Sequence, residues 1–121
     1  MRFTKDHQWI VLKGDIATIG VTAYAARQLG DVVYVQTPEV GLTVRAGEPL
    51  SSVEGVRTTF NLAAPIDGVV SEAHADLSDT PEQVDLDPEG SAWFARLQVA
   101  EPAQVDALMD RDAYEAFLDS L

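Results

Sequence analysis

Cysteine is absent from this chain of 121 residues, which excludes disulfides, thiolate metal sites and nucleophilic-thiol chemistry together. Bases are scarce: eight Lys and Arg stand against twenty Asp and Glu, a formal charge of −12. A duplex binder gains affinity by setting Lys and Arg on phosphates, yet residues 58–95 hold eight acids and no base. That balance argues against nucleic acid and, for the same reason, against anionic membranes. No hydrophobic run approaches a membrane span, and Met1-Arg2-Phe3-Thr4-Lys5-Asp6 has no apolar signal core. A bacterial cytoplasmic location is the expectation. What is present is an ordinary globular composition, 46% hydrophobic and 23% charged, long enough to bury a core without staples. The negative charge serves solubility, or steers the chain to basic surfaces.

Strand-like segments fill the first three quarters. Phe3, Lys5, His7 and Trp9 alternate with polar neighbours and run into Ile10-Val11-Leu12, a strand pattern. Lys13-Gly14-Asp15 predicts a hairpin turn, with Ile16–Val21 as the return strand. Thr22 has N-cap chemistry for a short helix ending at Gly30, where a left-handed residue is wanted. Val32-Val33-Tyr34-Val35 has the composition of a buried strand. Gly41, Val44, Gly47 and Leu50 recur at three-residue spacing, but Gly47 and Pro49 would break a helix, so tight corners between short strands are expected. Leu50–Glu54 and Phe60–Ala64 are predicted strands around a hairpin tip at Gly55-Val56-Arg57-Thr58-Thr59, and Val69–Ala73 is a further one.

Asp79-Thr80-Pro81-Glu82 has helix-start chemistry for a short helix ending near Asp85 to Asp87. Trp93–Val99 is predicted as a strand, with Trp93-Phe94 anchoring the core. Pro102 opens a helix burying Val105, Leu108 and Met109, and Ala113–Leu118 forms the last, capped by Asp110 or Asp112. No linker divides the chain, so residues 1–121 are expected to form one mainly β (α+β) domain with small edge and C-terminal helices.

Little here carries catalytic chemistry. His7 and His74 are the only imidazoles, far apart and without matched carboxylates. A metal site or a Ser-His-Asp arrangement needs convergent partners, and His7 is expected to be a strand residue beside Trp9. The acids from Asp67 to Glu89 form no calcium-loop pattern and are expected on a solvated face. Gly41, Gly47 and Gly68 fall at turns and none makes a phosphate-cradling loop. Ser51, Ser52, Thr58 and Thr59 flank the predicted tip, where their hydroxyls suit turn backbone groups. Arg57 at that tip is either a partner anchor or a solvated charge.

The run Gly41, Val44, Gly47, Leu50, Val53-Glu54 and Ala64-Pro65-Ile66-Asp67-Gly68-Val69-Val70 resembles the biotinyl/lipoyl-carrier fold, a barrel-sandwich hybrid. The whole chain is similar to the glycine cleavage system H-protein family. Its supporting pieces, in order, are His7-Gln8-Trp9, Ile19-Gly20-Val21-Thr22, Leu29–Val35, Pro38-Glu39-Val40-Gly41, Glu54-Gly55-Val56-Arg57, Leu77–Glu82, Asp87-Pro88 and Trp93-Phe94. Ala107-Leu108-Met109 and Ala113-Tyr114 fall in register with the family's terminal helices. The resemblance implies a non-enzymatic carrier, monomeric, whose hairpin-tip lysine bears lipoate. It implies three partners: a pyridoxal-phosphate-dependent glycine decarboxylase that loads an aminomethyl group, a folate-dependent aminomethyltransferase that receives it, and dihydrolipoyl dehydrogenase.

This chain departs from that pattern where the arm attaches. The family motif reads Glu-Ser-Val-Lys; here it is Glu54-Gly55-Val56-Arg57. Acylation needs an amine that can lose its proton, and a guanidinium stays protonated, with a pKa above about 12 and delocalised lone pairs. The only lysines, Lys5 and Lys13, lie in or beside the first hairpin and match no attachment motif. No lipoyl cofactor is therefore expected. The resemblance further implies an arm cleft in which the family commonly has Glu where this chain has Gln8 and Asp where it has Asn61, and in which some relatives have His at Gln28. Both acid replacements keep shape and remove a charge that would pair with a cationic aminomethyl group. Two functions follow: an arm-less member of the carrier family, or a pseudo-carrier that binds the system's enzymes as a regulator, competitor or scaffold. An independent enzyme has no nucleophile–base pair behind it.

Overall fold

The computed structural model describes residues 1–121, and its elements follow the chain as β1 (Arg2–Phe3), β2 (Gln8–Lys13), β3 (Ile16–Val21), α1 (Ala23–Leu29), β4 (Val32–Gln36), β5 (Thr43–Val44), β6 (Pro49–Gly55), β7 (Thr59–Ala63) and β8 (Gly68–Ala73). A 3₁₀ turn at Ala75–Ser78, α2 (Gln83–Leu86), β9 (Ala95–Val99), α3 (Ala103–Asp106) and α4 (Arg111–Asp119) complete it. The strands form a six-stranded sheet ordered β1-β2-β3-β9-β8-β5 and a three-stranded sheet ordered β4-β6-β7. The mainly β architecture with small helices agrees with the sequence.

Local chemistry explains most boundaries. Lys13 pairs with Ile16 across a two-residue loop, and Gly14 supplies the positive φ of 62° that the tight reversal needs. The Thr22 hydroxyl accepts from the Ala25 amide at 3.2 Å and starts α1, while Gly30, at φ 71°, ends it. Asp110, rather than Asp112, caps α4 by accepting from the Ala113 amide at 2.8 Å. In β3, Gly20 lies opposite Trp9, and the indole lies flat where a side chain would be: a Cβ there would sit 2.7 Å from the ring. The indole N–H donates to the Pro88 carbonyl at 2.8 Å. At the β7–β8 corner, amide donation from Ala46 and a second hydrogen bond from Gln104 hold the Asp67 carboxyl below its ordinary range.

Three apolar clusters fill the interior. One joins Ile10, Ile19, Val70 and Leu97 of the larger sheet to Leu50 of the smaller one and to Ile66 in the turn before β8. A second joins α1 to the smaller sheet through Ala25, Leu29, Val35, Val53 and Leu62, and takes in Leu77, Val84 and Phe94 from the later turns. The third, Phe3, Trp9 and Tyr114, holds α4 against the N-terminal strands, with the Phe3 and Tyr114 rings stacked at 4.6 Å.

Several expectations fail in instructive ways. The alternation from Phe3 to Trp9 is not one strand: the chain reverses at Thr4–His7, so that Phe3 pairs with Trp9, and Phe3 also bridges to Met109. The β4 segment is an edge strand, with Val33 and Tyr34 half exposed. Trp93 and Phe94 precede β9; Phe94 is buried, whereas Trp93 is stacked between His74 at 4.5 Å and the Arg96 guanidinium at 4.1 Å. Of the three residues expected to bury with α3, only Val105 is fully buried.

Candidate functional site

The β6–β7 hairpin is paired up to Glu54 and Thr59, leaving Gly55-Val56-Arg57-Thr58 as its tip. The Gly55 amide donates to the Thr58 carbonyl at 2.9 Å and closes the turn. The tip does not stand free. Its Val56 amide donates to the Asp31 carbonyl at 2.9 Å and its Arg57 amide to the Leu29 carbonyl at 3.0 Å. Approach this close requires glycine at position 55, because a Cβ there would fall on the Leu29 carbonyl oxygen.

The α1–β4 junction that receives the tip is fixed in turn. A helix leaves its last four carbonyls without partners inside the helix, so the end of α1 presents acceptors to the tip. The Asp85 carboxylate accepts from the Val32 amide at 3.0 Å and ties the start of β4 to α2. At the other end of α1, Glu89 accepts from the Ala23 amide at 2.8 Å and pairs with Arg111 at 3.2 Å. A shallow cleft of about 530 Å³ opens beside the tip, lined by Ala26, Arg27, Asp31, Arg57 and Asp85 among others.

The residues singled out from sequence fall in separate places. Glu54 is exposed at the end of β6, and Gly55, Val56 and Arg57 form the tip. Asn61 lies in a different cleft, of about 670 Å³, on the outer side of the smaller sheet. There Gln36, Ser52 and Asn61 are direct cross-strand neighbours, a neutral polar row across β4, β6 and β7. Gln8 is 1% exposed and donates through Nε2 to the Ala63 carbonyl at 2.8 Å, a bond that a carboxylate could not make. Gln28 is exposed on α1. Neither Gln8 nor Gln28 lines the cleft that holds Asn61 or the one that holds Arg57.

A polar string that the sequence reading missed runs beside Gln8. His7 sits in the turn after β1 with φ 65°, the one non-glycine residue with positive φ. Its ring lies against Tyr24, Phe60 and Phe117 instead of Trp9. Nδ1 of His7 is 2.8 Å from the Tyr114 hydroxyl, which is 2.8 Å from the Thr22 hydroxyl. Burial pushes the His7 pKa below its ordinary 6.5, against the opposing charge of Asp6, and raises that of Tyr114, against the Thr22 hydrogen bond. The string thus links the β1–β2 turn, the cap of α1 and α4. Its sequence signal was Thr22, whose cap role was legible; the tertiary partners were not. No three His, Asp or Glu side chains converge as metal ligands would.

The family model described as glycine cleavage H-protein matches residues 1–121. The chain belongs to this family. It is 55% identical over 121 residues to the glycine cleavage system H protein of Caulobacter vibrioides, covering 100% of both chains. To that of Phenylobacterium zucineum it is 54% identical over 118 residues, covering 98% of each. The fold is similar to the crystal structure of the glycine cleavage system H protein from Mycobacterium marinum, with a TM-score of 0.85, 36% identity, and coverage of 98% of this chain and 95% of that one. The two open sheets are consistent with the family's barrel-sandwich arrangement. No helix is long and apolar enough to cross a membrane.

Proposed function

We propose that this chain is an arm-less H-protein: a member of a carrier family, not a catalyst, that bears no lipoyl group. The family carries an aminomethyl group on lipoate held in amide linkage by a tip lysine. The observation that supports the arm-less reading is the residue at the docked β6–β7 tip, Arg57. An amide-linked group requires an acylatable amine, and a guanidinium does not fit that requirement. No step of a lipoyl cycle can therefore be assigned to this position. The neutral side chain of Asn61 agrees, since it offers its cleft no negative charge with which a cationic aminomethyl group would pair, whereas Gln8 is buried away from that cleft.

Co-expression with a lipoate ligase and lipoate tests the proposal. The chain should keep its unmodified mass, whereas Arg57→Lys should gain one lipoyl group and support glycine decarboxylation. A folded Arg57→Lys protein that stays unmodified would count against position 57 as the family's attachment point.

A second reading follows from how the tip is held. Its bonds to Leu29 and Asp31 come from the backbone and need no arm, so the finger keeps its shape without one. Such a chain suits a pseudo-carrier that binds the glycine decarboxylase, the aminomethyltransferase or dihydrolipoyl dehydrogenase as a competitor, regulator or scaffold. Saturable binding of the unmodified chain to the decarboxylase, strongest at low salt where acidic steering is least screened, is the expected result. No binding at low salt would rule this reading out.

A further inference from the structure

The Arg57 side chain does not project from the tip. A Cβ built on Gly30 would lie 3.1 Å from Arg57 Cγ and 3.3 Å from Cδ, which puts the arginine stem across the residue that ends α1. Beyond that stem, Nη1 donates to the Arg27 carbonyl at 3.2 Å. The backbone amide of the same residue donates to the Leu29 carbonyl at 3.0 Å. One residue thus satisfies two of the carbonyls that the helix leaves open, and it places a positive charge at the negative end of the helix dipole. With the cation folded back over the end of α1 at the surface, Val56, 66% exposed, becomes the apex of the finger.

We infer that Arg57 is a self-docking clip that locks the finger onto the C-terminal turn of α1, converting the family's arm-bearing position into a fixed internal contact. This deepens the arm-less reading but rests on where the arginine side chain lies, not on whether any residue is modified. The geometry favours arginine over lysine. A lysine stem ends one bond earlier in a single ammonium, and it lacks the terminal Nη1 that reaches the Arg27 carbonyl while the methylenes lie over Gly30. The contact also needs Gly30, since any larger residue would displace the stem and the Val56 side chain, whose Cγ2 would lie 2.9 Å from a Cβ at that position.

Amide hydrogen exchange by NMR on the unmodified chain, Arg57→Lys and Arg57→Met, all without lipoate, tests the clip. The Val56 and Arg57 amides should exchange about three- to tenfold faster in both variants, the scale of losing one exposed charge-assisted hydrogen bond. Amides of the β2–β3 hairpin should be unchanged, which shows that the variants are folded. Equal protection in Arg57→Met and the unaltered chain would overturn the proposal. A second measurement needs no variant: the unaltered chain should show a nuclear Overhauser contact between the Arg57 δ protons and the Gly30 α protons, and its absence would overturn the proposal as well. Neither result bears on the mass experiment, so a failed clip and a failed arm-less reading remain distinguishable.

Discussion

The molecule carries a cation at two hairpin ends, and the two differ in both support and chemistry. Lys13 closes β2 beside a two-residue loop in which nothing lies within 4 Å of a Cβ placed on Gly14. Arg57 sits on a tip whose backbone is bonded to Leu29 and Asp31 and whose side chain lies across Gly30. Of these two cations, the acylatable amine lies beside the unsupported loop, and the group that cannot be acylated is on the docked tip. The nucleophilic nitrogen and the held backbone therefore belong to different hairpins.

The largest effect expected from sharpening this contrast comes from glycine. Gly55→Ala drives a methyl group into the Leu29 carbonyl and should cost about 2–4 kcal/mol, since neither backbone can yield without breaking the tip's hydrogen bonds. Gly14→Ala meets open space and should cost only about 1 kcal/mol, the penalty of a Cβ at positive φ. Urea denaturation of the two variants checks the ordering, and equal losses would contradict the claim that only one hairpin is docked.

Next in size is the ledge that receives the tip. Thr22→Ala removes the cap of α1 and one partner of the Tyr114 hydroxyl, and should cost about 1–2 kcal/mol. It should also loosen the tip amides, because the end of α1 is their acceptor. Faster exchange at Ala25 with no change at Val56 and Arg57 would show that helix and finger are independent.

The smallest effect is that of pH. Burial lowers the His7 pKa in the folded state, so the unfolded chain binds the proton more readily. Stability should therefore fall as pH drops below the ordinary 6.5 and level off once pH passes the lowered folded value. His7→Asn, which tolerates positive φ, should flatten that part of the profile. An unchanged slope between pH 7 and pH 5 in the variant would assign it to other groups.

Much of this contrast was legible in the residues. Gly14, Thr22 and Gly30 act locally, through φ or a cap three residues away, and their roles were readable because the physics is short-range; the cap of α4 was narrowed only to Asp110 or Asp112. The ordered motifs of the family were readable for a similar reason, each being a contiguous string. What the sequence could not supply was long-range. Phe3, Lys5, His7 and Trp9 alternate as a strand would, yet pairing of Phe3 with Trp9 and Met109 forces a reversal between them. Gln8, Gln28 and Asn61 are alike in chemistry, but strand register turns Asn61 to the outer cleft while Gln8 is buried against Ala63. The docking of Arg57 depends on α1 ending beside a hairpin more than twenty residues later in the chain, a proximity that no local pattern encodes.

The most direct test is intact mass spectrometry of the chain co-expressed with lipoyl-attachment enzymes, read beside Arg57→Lys. The chain should show an unshifted mass and the variant a single lipoyl increment, mapped to position 57. A lipoyl group found on the unaltered chain, at Lys5, Lys13 or anywhere else, would contradict it.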